Sequence, residues 1–383
     1  MILTIIVFLL ILTVLVLIHE AGHFFVAKKL GIKVEEFGFG LAPRAFGIKR
    51  GETTYSINFL PIGGFVKLYG EDEAGAGNVK LKVESGKLSP QKRDPAEAGK
   101  VDLDRAFFSR PVWQRALVVV AGVVMNFLLA VLILTYFFGI SGVQAPGNKV
   151  FVTDVVKDSP AQKAGLKTGD QIVSINGEKI TSPTQLVSTT KQHLGEKLRL
   201  TILQKNKIEK NTEVTPRKTY PVNQGPIGVG ISSDVITKKY PLYQAPFVGL
   251  VQALNYSWLI LSGLGSIVYQ LITAAQVPKG VAGPVGIAQL TGQFVAIGPL
   301  AVLSFVSLLS LNLAILNILP IPALDGGRLF FILIEGVTGR KVSQRFESYA
   351  HAIGMALLLT LIAVITLNDI IRFISGQPVL PKQ

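Results

Sequence analysis

Residues 2 to 18, ILTIIVFLLILTVLVLI, carry no charged side chain, and the run passes without a break into HEAGH at 19 to 23. A stretch of this length and apolarity predicts a helix in lipid, because crossing a hydrocarbon core takes about 20 such residues. It lacks the charged start and small-residue cleavage site of a removable leader, so it is expected to stay in the mature chain. Three more segments have the same character: Ala116 to Ile140, Gly298 to Leu319 and Ala352 to Leu367. With 49% hydrophobic and only 16% charged residues over 383 positions, the expected class is a polytopic α-helical membrane protein with four transmembrane helices. Cysteine is absent, which excludes disulfides and thiolate ligands. The net charge of +14 is spread through the loops without interleaved aromatics, so it points to anionic membrane lipids rather than nucleic acid.

The intervening segments order the rest. Residues 1–33 form the first span with its polar end, and 34–70 read as a membrane-associated β region, with alternation in TTYSINFL and turns at Gly51, Pro61, Gly63 and Gly64. Residues 71–110 are rich in charge, Gly and Pro and are expected to be a partly disordered cytoplasmic insertion. The second span occupies 111–141, and 147–235 form one inserted small α+β domain. Residues 240–297 read as an interfacial helix and a connecting loop, because Gln252, Asn255, Ser262, Ser266, Gln270 and Thr273 make a polar stripe at near-helical spacing. The third span covers 298–319, a ligand loop and cytoplasmic segment 320–350, and the fourth span 351–373. Lys28, Lys29, Lys33, Arg105, Arg110 and Arg115 flank the first loop, and Arg328, Arg340, Lys341 and Arg345 the last. That bias places both loops in the cytoplasm and the inserted domain outside an inner (plasma) membrane.

His19 and His23 lie four positions apart, hence on one face of a helix, where both imidazoles can reach one ion. Glu20 beside them can take a proton from water at that ion, the arrangement used by zinc proteases, whose catalytic sites take three protein ligands. A bare helix end would be the plain explanation, but a carboxylate at this depth is costly without a function or partner. His23 precedes Lys28 by five residues, which sets the site roughly 8 to 14 Å inside the cytoplasmic boundary at ~1.5 Å per residue. The third ligand is expected from NLAILNILPIPALDGGRLFF: Pro320 and Pro322 end the third span, and Asp325 arrives at the same depth and side as His19. His193 and His351 have no evident partners and are expected to be structural or surface residues.

These stretches together resemble the site-2 protease family of intramembrane zinc metalloproteases, in its bacterial anti-sigma-factor-cleaving, PDZ-containing branch. The resemblance rests on HEAGH at 19–23, GFG at 38–40, LPIGGFVKLYGE at 60–71, RPVWQRALVVVAGVVMNFLLA at 110–130, AGPVGIAQL at 282–290 and NILPIPALDGG at 317–327. It implies a Zn2+ cofactor held by His19, His23 and Asp325, Glu20 as catalytic acid and base, and Asn317 as a contact to substrate backbone. It also implies a sheet that guides substrate and an inserted domain of PDZ type. An unwound substrate needs a strand edge to pair with, expected at Gly63, Gly64 and Phe65, with a purely structural hairpin as the other reading of that stretch. The implied reaction is hydrolysis of peptide bonds in or near the transmembrane segments of single-span proteins, such as anti-sigma factors or remnant signal peptides. The PDZ-like block can contact substrate or a regulator, capture a carboxyl terminus through Gly228 to Ile231, or screen substrates by size. Two departures from the family are visible: one such block where relatives often carry two, and Val123 where proline is usual after Gly122. Two other readings stay open, a catalytically silent membrane scaffold presenting the PDZ-like domain and a metal transporter.

Overall fold

The fold is taken from a computed structural model, which describes residues 2–71, 81–84, 87–90, 103–221, 224–274 and 281–375. The chain divides into two compact units, Met1–Tyr136 with Tyr243–Gln383, and Phe137–Leu242.

In the first unit, α1 runs from Ile2 to Lys29. In lipid a helix is one of the few ways to satisfy every backbone group internally. It stops at Gly31, whose φ is +74°. Ile32 N–H reaches Ala27 O and Gly31 N–H reaches Lys28 O, the two bonds of a Schellman cap. Lys28 and Lys29 sit in the last turn, where the helix dipole favours cations.

Strands β1 (Val34–Arg50) and β2 (Thr53–Leu68) follow. Their register is not that of a simple hairpin. Residues 36–39 pair with 54–57 and also with 64–67, while 44–50 pair with 53–58. Both strands therefore bend, giving four antiparallel segments in the order 64–68, 34–39, 53–58, 44–50. Gly40, at φ +84°, lies at the bend of β1, and a Cβ there would come within 2.4 Å of Leu60 O. Segment 64–68 is an edge: among the described residues no strand pairs with its outer side. Of the charged insertion expected at 71–110, the structure describes Glu71, the short antiparallel pair β3 (Leu81–Glu84) and β4 (Lys87–Pro90), and residues 103–110. The rest of that expectation lies outside the described residues.

Helix α2 (Val112–Tyr136) packs on α1 through small residues. A Cβ on Gly22 would lie 2.4 Å from Ala121 O, so the two backbones are in direct contact, as small residues allow between helices in lipid.

The second unit, described by itself, is a sheet in which β5 (Val143–Val155) lies between β10 (Val229–Lys238) and β6 (Gln171–Ile175), continued by β8 (Leu198–Leu203) and β9 (Glu209–Val214), with β7 (Glu178–Lys179) on β6. Two helices complete it, α3 (Pro160–Lys163) and α4 (Pro183–Gln192). Each has Pro at its start and a serine cap, Ser159 for Gln162 N–H and Ser182 for Gln185 N–H. Val150, Ile172, Leu186, Leu198, Leu200 and Ile202 form its aliphatic core.

The chain then returns to the first unit as α5 (Ala245–Ala274), α6 (Pro284–Ile297), α7 (Pro299–Ile318), α8 (Asp325–Thr338) and α9 (Gln344–Ile374). Five helices, α1, α2, α5, α7 and α9, are long and apolar enough to cross a membrane, against the four spans expected. The stretch expected to be a loop after α5 contains α6. Pro284 starts that helix, Gly298 at φ +132° ends it, and its first N–H groups are satisfied from elsewhere: Asp369 on α9, 1% exposed, accepts from Gly283 N and Gly286 N and pairs with Arg372. The stretch 320–350, expected as loop and cytoplasmic segment, is largely helical, because α8 begins at Asp325 itself.

Candidate metal centre

On α1, His19 and His23 face the same side, with their Nε2 atoms 3.2 Å apart. The first residue of α8 completes the group: Asp325 Oδ2 lies 2.8 Å from His19 Nε2 and 3.3 Å from His23 Nε2. Two features of the chain deliver it there. Pro320 and Pro322 prevent α7 from continuing. Gly326 and Gly327 let α8 start hard against the turn, since a Cβ on them would meet Leu319 O at 2.0 Å and Ile321 O at 2.4 Å.

The donor set fits zinc. For bonds of about 2.0–2.1 Å to nitrogen and oxygen in a tetrahedron, ligand atoms stand about 3.3 Å apart. Two of the three separations match that, and the third is short enough for a hydrogen bond between the ligands themselves. The close approach of α2 to these nitrogens depends on a missing side chain. A Cβ on Gly122 of α2 would fall 2.4 Å from His23 Nε2 and 2.8 Å from His19 Nε2.

The outer nitrogens are also held. His23 Nδ1 donates to Val118 O at 2.8 Å, which leaves the Nε2 lone pair free for an ion. His19 Nδ1 lies 3.5 Å from the side-chain amide of Asn126, which is fully buried on α2. With its nitrogen towards His19, the amide leaves Oδ1 buried and without a partner. Turning it by half a revolution lets Oδ1 accept the His19 Nδ1 proton, and amide orientation is set by such networks. Ser310 Oγ of α7 donates to Asn126 O at 2.7 Å, fixing the backbone at that level.

Glu20, His23, Asp325, Phe65 and Val66 line one pocket of about 210 Å³. A larger cavity of about 650 Å³ shares Asp325, Glu71, Phe107 and Arg328 with it and extends towards His351; Glu71 and Arg328 are ion-paired. The edge segment of β2 runs past the first pocket: a Cβ on Gly64 would touch Val16 and Glu20 at 3.4 and 3.5 Å, and Gly63 has φ +82° with open space around it. Asn317 lies half-buried on the last turn of α7 and makes no side-chain hydrogen bond among the described residues. Sequence reasoning missed Gly122, Asn126 and the Val118 carbonyl. A lone asparagine in an apolar helix, four residues after a glycine, was the available signal. The two remaining histidines do have partners, His193 with Glu196 and His351 with the backbone of Ala323.

Comparison with known proteins agrees with this chemistry. The chain is similar to the regulator of sigma-W protease RasP of Bacillus subtilis, 34% identical with 96% of this chain and 98% of that protein covered. It is equally similar to the zinc metalloprotease RasP of Geobacillus kaustophilus (34%, 97% and 98%) and, at 33% and 94% of both chains, to a putative zinc metalloprotease of Clostridium acetobutylicum. Among solved structures, the PDZ domain of an SdrC-like protein from Listeria innocua matches 22% of this chain and 92% of its own at 19% identity and a TM-score of 0.20. Residues 7–361 match Peptidase family M50, so the chain belongs to that family and is a zinc metalloprotease.

Proposed function

We propose that the protein hydrolyses peptide bonds within the membrane segments of single-span proteins, with His19, His23 and Asp325 holding zinc and Glu20 moving the protons. The observation that carries this reading is the meeting of one carboxylate from α8 and two imidazoles from α1 beside Glu20, under an unpaired strand edge. Bound there, zinc supplies Lewis acidity and makes water nucleophilic near neutral pH. Glu20 accepts the proton of the attacking water and passes it to the departing amine. Val118 O and Asn126 keep the two imidazoles in the tautomer that binds metal.

A transmembrane substrate must first lose its helical hydrogen bonds, and in lipid the freed groups need partners. The outer edge of residues 64–68 can supply them by strand addition. Gly63 and Gly64 leave room for a second backbone, and Phe65 lines the pocket beneath it. Asn317 is a further contact in this reading.

Four spans, with α5 lying along the interface, keep both lysine- and arginine-rich loops on the cytoplasmic side; a fifth crossing would carry the last of them outward against the charge bias. The PDZ-like block then lies outside the cytoplasm and the metal site near its inner face. Because one relative bears the name of a sigma-W regulator, membrane-bound anti-sigma factors are the substrate class to test first. The experiment compares cleavage of a single-span reporter by the unaltered protein and by Glu20→Gln, with zinc content measured in both. Zinc retained and cleavage lowered by about 10²–10⁴-fold is expected; equal cleavage by the two overturns the assignment of Glu20.

A further inference from the structure

The turn that delivers Asp325 contains a strained residue. Ala323, two positions before the carboxylate, has φ +81°, a region that side chains other than glycine avoid and that persists only where the surroundings impose it. The imposing contact comes from α9. His351 Nδ1 accepts the Ala323 N–H at 2.9 Å, so the ring carries its hydrogen on Nε2, which lies 3.9 Å from Glu347 Oε1. The ring is braced edge-on by Phe331 of α8, centroid to centroid 5.7 Å. One turn on, α9 touches the same loop again: a Cβ on Gly354 would meet Pro322 O at 2.5 Å.

We propose that His351 is a positioning residue for the metal. By accepting the Ala323 N–H it holds that residue left-handed, and this sets the direction in which the chain enters α8 and presents the Asp325 carboxylate to His19 and His23. The inference rests on the reading of Asp325 as a ligand. Without the acceptor, Ala323 relaxes to negative φ, the peptide before Leu324 rotates, and Asp325, the first residue of α8, moves with it. Glycine at 323 adopts positive φ without help. Dependence on His351 should therefore vanish when position 323 is glycine, a coupling that a histidine serving only to pack α9 would not show.

The test measures zinc affinity of the full chain by competition with a chelator, in Asp325→Ala, His351→Phe, His351→Asn, Ala323→Gly and the double variant Ala323→Gly/His351→Phe. Phenylalanine keeps the ring against Phe331 and removes the acceptor; asparagine places an oxygen near the lost nitrogen. Expected are strong loss for Asp325→Ala, weakening of about 10–100-fold for His351→Phe, as for other groups that orient ligands, and recovery in both His351→Asn and the double variant. Should His351→Phe fail to accumulate, His351→Ala supplies the same arm. Unchanged affinity in His351→Phe beside a loss in Asp325→Ala overturns the positioning role and leaves the ligand standing. Unchanged affinity in Asp325→Ala overturns the ligand itself. A weakened His351→Phe that glycine at 323 does not recover overturns the route through Ala323.

Discussion

The contact between α1 and α2 and the core of the Phe137–Leu242 unit are built on opposite plans. The second is a filled interior: Ile172, Leu198, Leu200 and Ile202 are each at most 1% exposed, and their value lies in the apolar surface they remove from water. The first is organised by side chains that are absent. Gly22 and Gly122 bring two helices within backbone contact, and against that contact lie two imidazoles, a carboxylate and an amide. One region tolerates changes of polar detail and suffers from lost volume; the other suffers from added volume and from any unassigned polar atom.

That contrast can be broken by experiment. The largest effect is expected from Gly122→Ala, whose methyl would collide with both imidazoles: zinc should be lost outright, measured by elemental analysis, while the second unit melts as before. A variant that keeps its zinc would show that the helices can part. Ile172→Ala should do the reverse, costing about 2–5 kcal/mol in the second unit, read by thermal unfolding or hydrogen exchange, with zinc unchanged. Asn126→Leu preserves volume and removes the partner of His19, so zinc affinity should fall about 10–100-fold, seen in chelator competition. The smallest effect belongs to a cluster of three charges, Glu52 with Arg105 and Lys28. Glu52 is held by Arg105 first, then Lys28, and its carboxyl is pulled down from 4.5 to about 2. A depressed carboxylate stabilises the fold above its ordinary value, and that contribution disappears as pH falls from about 4.5 to about 2. Glu52→Gln should therefore lower stability modestly at neutral pH, flatten the acid side of the profile between about 4.5 and about 2, and match the unaltered protein below that range.

The meeting of His19, His23 and Asp325 was legible because each part follows from a local rule. Helical period puts His19 and His23 on one face, and Pro320 with Pro322 forces the chain to turn where Asp325 follows. The helix start inside 320–350 was passed over because an aspartate after an apolar helix can either cap a following helix or turn towards an ion, and the chain makes Asp325 the first residue of α8. Helix α6 was missed because its start depends on Asp369, eighty-odd residues on, which no local pattern announces. The double pairing of β1 was hidden for a related reason: alternation shows that 34–68 is extended but says nothing about which segments meet. Helix α5 is ambiguous in kind, since its length suits a crossing and its polar stripe suits the interface.

Asp369 has a practical corollary. It lies past residue 361, where the family match ends, in the stretch that a boundary drawn on similarity would discard. Trimming the chain there would strip two backbone donors at the head of α6 of their acceptor while leaving His19, His23 and Asp325 in the gene, so a shortened protein could carry HEAGH intact and still come apart at a distant joint.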